Sequence, residues 1–507
     1  MKNIIEQIDN WGVKSPQRLA YEYMGSEYTY GQLKQISDAV ATKLLSMQLP
    51  KKEPIMVYGG QTFETIAAFL GVVKAGHAYI PVDSHSPLQR LEIIKEIAQP
   101  AACIAVESLP GIDLTIPTIT KLELENIMRQ PIAKVDTSKY VKQDENFYII
   151  FTSGTTGVPK GVQISHDNLQ SFIEWINTDF ALDKGKTCLA QAPYSFDLSV
   201  MSLYPTLVAG DKIAVLPTKV TENFKDLFTV LPQLSINEWV STPSFMEICL
   251  MQKTFDAKHF PELKYFLFCG EELTHKTAST LKQRFPEAKI YNTYGPTEAT
   301  VAITSIEITN QILEDYTRLP IGYAKRDSQI ILVDENLNQV KPGQIGEIVL
   351  LGLGVSKGYL NNEEKTARNF ITIEGKSAYR TGDVGIIDEN KMLLYKGRID
   401  FQVKMHGFRI ELEDVDHHLD KVSIISQATT VPKYNKEHKV SQLVAYVVTK
   451  EKNYQNAFEL TQAIKRELTE TTLSYMIPQR FKYVDSLPLT INGKIDRKFL
   501  VQEVNDG

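Results

Sequence analysis

A run rich in glycine and hydroxyl groups, Thr152-Ser153-Gly154-Thr155-Thr156-Gly157-Val158-Pro159-Lys160-Gly161, follows an apolar stretch at 147–151. Glycines let successive backbone N–H groups converge on an anion, hydroxyls add donors, and a lysine adds charge, so the run reads as a phosphate-binding loop. It is not the GxxxxGK[ST] arrangement, because Lys160 lies three residues past Gly157 and is followed by Gly161. A second constellation is Asn292-Thr293-Tyr294-Gly295-Pro296-Thr297-Glu298. Tyr294 can stack on a purine face, Asn292 can hydrogen-bond a base edge, and the turn that follows favours an exposed Tyr294. Glu298 offers a hard oxygen of the kind phosphate-bound Mg²⁺ takes. The third is Asp197, set among Tyr194, Phe196, Leu198 and Val200. An acid persists in such surroundings when it is paired, either with a ligand ammonium or with a helix N-terminus that it caps.

The elements that must position these groups alternate between strand and helix. Residues 54–59 read as a buried strand, and Phe63, Ile66, Ala67 and Leu70 recur at the spacing of a helix with one apolar face. A short apolar run at 78–82 follows. Ser86-Pro87 then opens a helix running toward Ala98, and 101–106 returns to strand. Behind the phosphate loop, Leu169, Phe172, Ile173 and Ile176 mark another helix. This alternation predicts α/β layers with largely parallel sheets. The tail has a different texture. Phe401, Val403 and Met405 alternate with polar residues, Gly407 supplies a turn, and Leu412, Val415 and Leu419 share a helix face. A strand at 442–448 and a helix at 456–468 complete a compact α+β unit of ordinary domain size. The boundary falls near Gly397-Arg398-Ile399-Asp400.

The 507 residues carry 55 Lys plus Arg against 61 Asp plus Glu, a net charge of −6, too acidic for a chain whose main task is coating nucleic acid. Lys2, Glu6 and Asp9 break up the N-terminus, so it does not read as a secretory signal. The most apolar stretch, 66–73, is interrupted by Lys74, far short of the ~20 residues that cross a bilayer. The four cysteines, Cys103, Cys188, Cys249 and Cys269, form no CxxC pair, and the expected home is a reducing cytoplasm.

Five segments, in order and spaced across nearly the whole chain, resemble the adenylate-forming superfamily of acyl-CoA synthetases, nonribosomal peptide adenylation domains and firefly luciferase. They are the phosphate loop, the 292–298 segment, Tyr379-Arg380-Thr381-Gly382-Asp383, the 397–407 region, and Asn492-Gly493-Lys494-Ile495-Asp496. The resemblance implies an α/β fold: a large N-terminal domain (1–399) of layered, mostly parallel sheets with helices, and a small mobile α+β C-terminal domain (400–507). It implies ATP held by Thr152, Ser153, Gly154, Thr155, Thr156 and Lys160. Asn292, Thr293, Tyr294 and Thr297 would serve the base and α-phosphate, Asp383 the ribose hydroxyls, and Arg398 phosphate or ribose. Mg²⁺ falls to Glu298, and Asp400 becomes the hinge. Lys494 is the implied catalytic cation, bridging the attacking carboxylate and the α-phosphate.

The substrate follows from the same resemblance. Asp197 resembles the amine-binding acid of amino-acid adenylation domains. The Cys269 segment resembles stand-alone members that load D-alanine onto the phosphopantetheine of a separate carrier protein for D-alanylation of lipoteichoic acid. Leu198, Gly295 and Val301 join Cys269 in the implied D-alanine pocket, where the cysteine packs near the side-chain methyl. Asp485-Ser486-Leu487 resembles a carrier attachment site, but about twenty residues after it are too few for a carrier bundle, so the acceptor is expected in trans. Other readings stay open: a free-standing L-amino-acid adenylating enzyme, a short-chain acyl-CoA synthetase, or a non-catalytic ATP-binding regulator. Asp197 argues against the acyl-CoA version, Cys269 against the L-amino-acid one, and Lys494, Glu298 and Asp383 together against the regulator.

Overall fold

The computed structural model describes residues 3–111, 114–129, 135–153, 158–180, 182–450, 456–490 and 495–506. Runs such as Ile55–Tyr58 and Ala102–Ala105 are buried at every position. That continuous apolar texture belongs to parallel strands covered on both faces. In a six-stranded sheet, Thr118–Ile119, Ala102–Ala105, Ile55–Tyr58, Tyr79–Val82 and Asn146–Thr152 pair in parallel in that order, with Lys160–Ser165 beyond the last. A nine-stranded sheet has a parallel centre running from Lys289–Tyr294 through Tyr265–Phe268, Glu238–Ser241, Thr187–Ala190 and Lys212–Val215 to Leu19–Tyr23. Antiparallel strands close both of its edges. A third, antiparallel sheet of five strands includes Gly346–Gly352, Lys376–Ile387 and Leu393–Arg398. The chain is therefore mixed α/β, as the strand–helix alternation predicts.

The helix Phe63–Lys74 departs from its expected single apolar face, for eleven of its twelve residues are buried. Lys74 is fully enclosed, with Nζ 2.6 Å from Asp9, 2.7 Å from Asp38 and 2.8 Å from the Ser37 hydroxyl. The buried ammonium thus has two carboxylates and a hydroxyl around it, which is what a charge needs to persist out of water. Helix Leu198–Ala209 is likewise almost wholly buried and ends at Gly210 in the left-handed conformation. A side chain there would enter the Trp11 ring, 2.4 Å from where its Cβ would lie.

The chain divides into two compact units, one of Met1–His85, Ile97–Phe151 and Gly161–Ile399, the other of Ser86–Glu96, Thr152–Lys160 and Asp400–Gly507. The break in the tail thus lies between Ile399 and Asp400, and two short earlier segments group with the tail. In the second unit, Ile425–Tyr434 and Val440–Thr449 pair antiparallel, with Arg480–Tyr483 parallel to the latter. Helices Leu412–Asp420 and Ala457–Thr471 contribute Val415, Leu419, Ile464 and Leu468 to a core with Leu443, Ala445 and Val447 from that sheet. Among the described residues no helix is long and apolar enough to cross a membrane.

Candidate active site

Strand Lys289–Tyr294, inside the nine-stranded sheet, carries the first group of expected site residues to its C-terminal end. Asn292 is buried and donates its amide to the Pro320 carbonyl at 2.8 Å, while Thr293 donates to the Phe268 carbonyl at 2.8 Å. The expectation that Tyr294 lies exposed is corrected: it is only 6% exposed. Its ring packs with Ala299, Ile303, Ile321 and Ile348, and its hydroxyl donates to Asp383 Oδ2 at 2.5 Å. Burial first, and then the Asp383 charge, raise the Tyr294 pKa far above the ordinary phenol range.

Asp383 lies in strand Lys376–Ile387 and is paired at both oxygens. Oδ1 accepts from Arg398 Nη1 at 2.6 Å, opposite the Tyr294 bond to Oδ2. Arg398 also reaches the Thr381 carbonyl at 3.2 Å, and the Thr381 hydroxyl accepts from the Asp383 N–H at 2.9 Å. The register Asp383↔Arg398 between adjacent antiparallel strands sets this pair side by side. The structure thus joins three expected residues, Tyr294, Asp383 and Arg398, in one hydrogen-bonded cluster.

Past Tyr294 the chain turns through Thr297–Ala299, a short 3₁₀ segment with Thr297 and Glu298 buried. Glu298 is fully enclosed, and its Oε1 accepts from the Tyr359 hydroxyl at 2.7 Å. Its backbone carbonyl accepts from the Ser356 N–H at 2.9 Å.

Asp197 is buried and directly precedes Leu198, one of three expected pocket residues in the core of the first unit. Asp197 occupies the N-cap position of Leu198–Ala209, but its backbone is already helical (φ −64°, ψ −23°) and its carboxylate makes no capping bond. The capping role weighed from sequence is therefore not what this acid does. Leu198, Cys269 and Val301 belong to one buried cluster that also holds Tyr148 and Tyr194. The Tyr148 hydroxyl is buried and has no partner among the described residues. Burial first, then Tyr79, then the Asp197 charge raise its pKa. The Cys269 thiol donates to the Val301 carbonyl at 3.6 Å. Gly295 backs onto this wall, where a Cβ would sit 2.6 Å from Ala302 Cα and 3.0 Å from the Val301 oxygen. Only glycine allows that approach.

Those of the remaining expected residues that are described lie in the second unit. The Thr152 hydroxyl is buried without a partner among the described residues. Ser153 donates to the Arg409 carbonyl at 2.7 Å, and Lys160, also buried, has Nζ 3.7 Å from Glu411. Asp400 Oδ1 accepts from the Gln402 N–H at 3.2 Å. Gly154, Thr155, Thr156 and Lys494 lie outside the described residues. The described flanks of Lys494 are joined: Leu489 and Ile495 form an antiparallel bridge, and the Asp496 N–H donates to the Pro488 carbonyl at 2.8 Å.

Sequence reasoning missed Tyr359 and Thr381 as supports of Glu298 and Asp383. Thr381 sits inside a motif and was legible there, whereas Tyr359 lies 61 residues from Glu298 and no local spacing connects them.

The model of the AMP-binding enzyme family matches residues 8–360, and that of the AMP-binding enzyme C-terminal domain matches 414–494. The chain is similar to the D-alanine–D-alanyl carrier protein ligase of Lactiplantibacillus plantarum, 56% identical over 506 residues that cover 100% of this chain and 99% of that one. A protein of the same name from Streptococcus pneumoniae is 48% identical over 508 residues, covering 99% of this chain and 98% of that one. Among solved structures, the Vibrio cholerae adenylation domain AlmE, in complex with glycyl-adenosine-5'-phosphate, superposes with a TM-score of 0.81 at 22% identity, covering 99% and 97% of the two chains. That likeness supports the fold.

Proposed function

Because the chain belongs to the AMP-binding enzyme family, we propose that it is a two-step, AMP-forming ligase that activates D-alanine and passes it to a carrier protein. In the first step a D-alanine carboxylate oxygen attacks the α-phosphorus of ATP. The bond to the bridging oxygen breaks, pyrophosphate leaves, and D-alanyl-adenylate remains. In the second step a phosphopantetheine thiolate on a separate carrier attacks the acyl carbon, AMP leaves, and a thioester forms. The final acceptor in this reading is lipoteichoic acid, and the enzyme works in the cytoplasm. Its four cysteines, all free and buried, accord with a reducing compartment.

The observation that carries the amino-acid assignment is Asp197. A buried carboxylate at a helix start that does not cap the helix, directly before Leu198 of the core that holds Cys269 and Val301, suits a small ammonium-bearing acid. Asp383, held at both oxygens by Tyr294 and Arg398, is oriented to accept from ribose hydroxyls. The buried Thr152 hydroxyl without a described partner fits a phosphate acceptor at the loop.

Among the described residues no cluster of three or more His, Cys, Asp or Glu side chains could hold a metal ion. Glu298 would supply a carboxylate to Mg²⁺, which ordinarily takes one or two carboxylates plus phosphate oxygens. When bound, it neutralises charge on the leaving phosphates. Tyr359 fixes the Glu298 carboxylate. Lys494, delivered with the second unit by rotation about Asp400, would stabilise charge gathering between carboxylate and α-phosphate.

The test is amino-acid-dependent exchange of labelled pyrophosphate into ATP, run with D-alanine, L-alanine, glycine, D-serine and acetate. D-alanine should give the highest kcat/KM. Faster exchange with L-alanine or acetate, or none with any acid, would overturn the reading.

A further inference from the structure

Two consecutive β-branched residues, Thr300 (φ 57°) and Val301 (φ 69°), adopt the left-handed backbone conformation that side chains of this type rarely enter. The Ala302 N–H donates to the Thr300 carbonyl at 2.8 Å, two residues back. A bond of that span around a central residue of positive φ marks the rare, strained form of the γ-turn. Such a conformation persists only where its surroundings over-determine it, and it concentrates at functional sites.

The surroundings here are specific. Thr300 is fully buried, and its hydroxyl donates to the Gly354 carbonyl at 2.7 Å. Its N–H donates to the Thr297 carbonyl at 3.1 Å. The far side of the turn rests on Gly295, which has no side chain to push it away. The Ile303 N–H is held by the Tyr294 carbonyl at 2.8 Å. The carbonyl at the centre of the turn, that of Val301, is the one that accepts the Cys269 thiol. The Gly354 segment is anchored in turn, because Asn168 donates its amide to the Val355 carbonyl at 3.1 Å.

We propose that Thr300 is a specificity-determining positioning residue: its hydroxyl bond to Gly354 holds the strained turn that sets Val301 and Cys269 against the substrate's α-substituent. This deepens the proposed function and rests on it. Without the bond, the turn relaxes toward negative φ, the Val301 carbonyl leaves the thiol, and the wall no longer fixes where a methyl group fits. Discrimination by one methyl contact in an apolar pocket spans roughly 10- to 200-fold, so a wall free to shift forfeits much of that factor.

The experiment compares pyrophosphate exchange by the full-length wild type, Thr300→Val and Thr300→Ser with D-alanine, L-alanine and glycine. Valine keeps the branched shape and deletes the donor, whereas serine keeps the donor. The readouts are the D-Ala/L-Ala and D-Ala/Gly ratios of kcat/KM, in which any inactive fraction of a preparation cancels. Thr300→Val should lower both ratios by about tenfold, and Thr300→Ser should stay within about threefold of wild type. Should the valine variant fail to fold, Thr300→Ala, which also lacks the hydroxyl and gains no ease at positive φ, should show the same fall. Unchanged ratios in an active Thr300→Val or Thr300→Ala enzyme overturn the role of Thr300 while leaving D-alanine activation standing. Absence of D-alanine-dependent exchange in the wild type overturns both.

Discussion

Replacing Asp383 by asparagine keeps its shape and deletes its charge, which isolates what the buried Tyr294–Asp383–Arg398 cluster contributes. Arg398 has a side chain only 10% exposed and would face a neutral amide at the 2.6 Å position now filled by Asp383 Oδ1. Breaking one side of a buried ion pair costs about 3–5 kcal/mol, because the remaining charge keeps its desolvation cost without its partner. The Tyr294 hydroxyl still has an acceptor in the asparagine oxygen, so its share of the loss is small. Arg398→Met in the same background removes the stranded charge and should restore about 2 kcal/mol or more. The assay is urea unfolding followed by tryptophan fluorescence. All three tryptophans, Trp11, Trp175 and Trp239, lie in the first unit with the cluster, so the signal reports that unit. A loss below about 1 kcal/mol in Asp383→Asn, or strict additivity of the two substitutions, would refute the argument that the pair is held as a buried charge pair.

The other substitutions probe separate links. Tyr359→Phe removes a hydrogen bond to a fully enclosed carboxylate, worth about 1.5–3 kcal/mol. The Mg²⁺ concentration for half-maximal exchange should rise about tenfold in this variant, with the D-Ala/L-Ala ratio unchanged; an unaltered Mg²⁺ requirement would remove Tyr359 from that role. Lys494→Ala should slow adenylation by ~10²–10³-fold yet leave transfer from preformed D-alanyl-adenylate largely intact, and equal loss in both half-reactions would assign the lysine to structure. In the second unit, burial raises Asp416 to about 6, against the pull of Arg497, so its contribution is full below its ordinary 3.8 and is lost as pH rises through about 6. Burial lowers His418 to about 4, so its contribution is full above its ordinary 6.5 and is lost as pH falls through about 4. The two slopes oppose each other, and Asp416→Asn should therefore make stability fall more steeply between pH 6.5 and 4. Amide hydrogen exchange in Val440–Thr449 measures this, and an unchanged slope would contradict it.

Much of the layered architecture was legible because buried parallel strands such as Ile55–Tyr58 leave continuous apolar runs, and because a helix follows Ser86-Pro87, beginning at Leu88 rather than at the proline. The individual motifs were legible because glycines and short polar side chains crowd where backbone must bend. What joins the motifs was not legible. The Asp383 carboxylate meets Tyr294 across 89 residues, and Glu298 meets Tyr359 across 61, through contacts between separate elements that only the folded chain brings together. Local turn chemistry argued for an exposed Tyr294, but tertiary packing in the cluster around Ile321 and Ile348 prevailed. The strain at Thr300 and Val301 left no mark either, since β-branched residues ordinarily announce extended backbone.

The most direct measurement mixes enzyme, ATP and D-alanine in near-stoichiometric amounts, quenches the mixture within one turnover, and identifies the products by mass spectrometry. D-alanyl-adenylate and pyrophosphate should form in equal amounts, followed by a D-alanyl thioester and AMP once phosphopantetheine-bearing carrier is added. Formation of ADP and phosphate, or of no acyl-adenylate with D-alanine while another acid yields one, would contradict this.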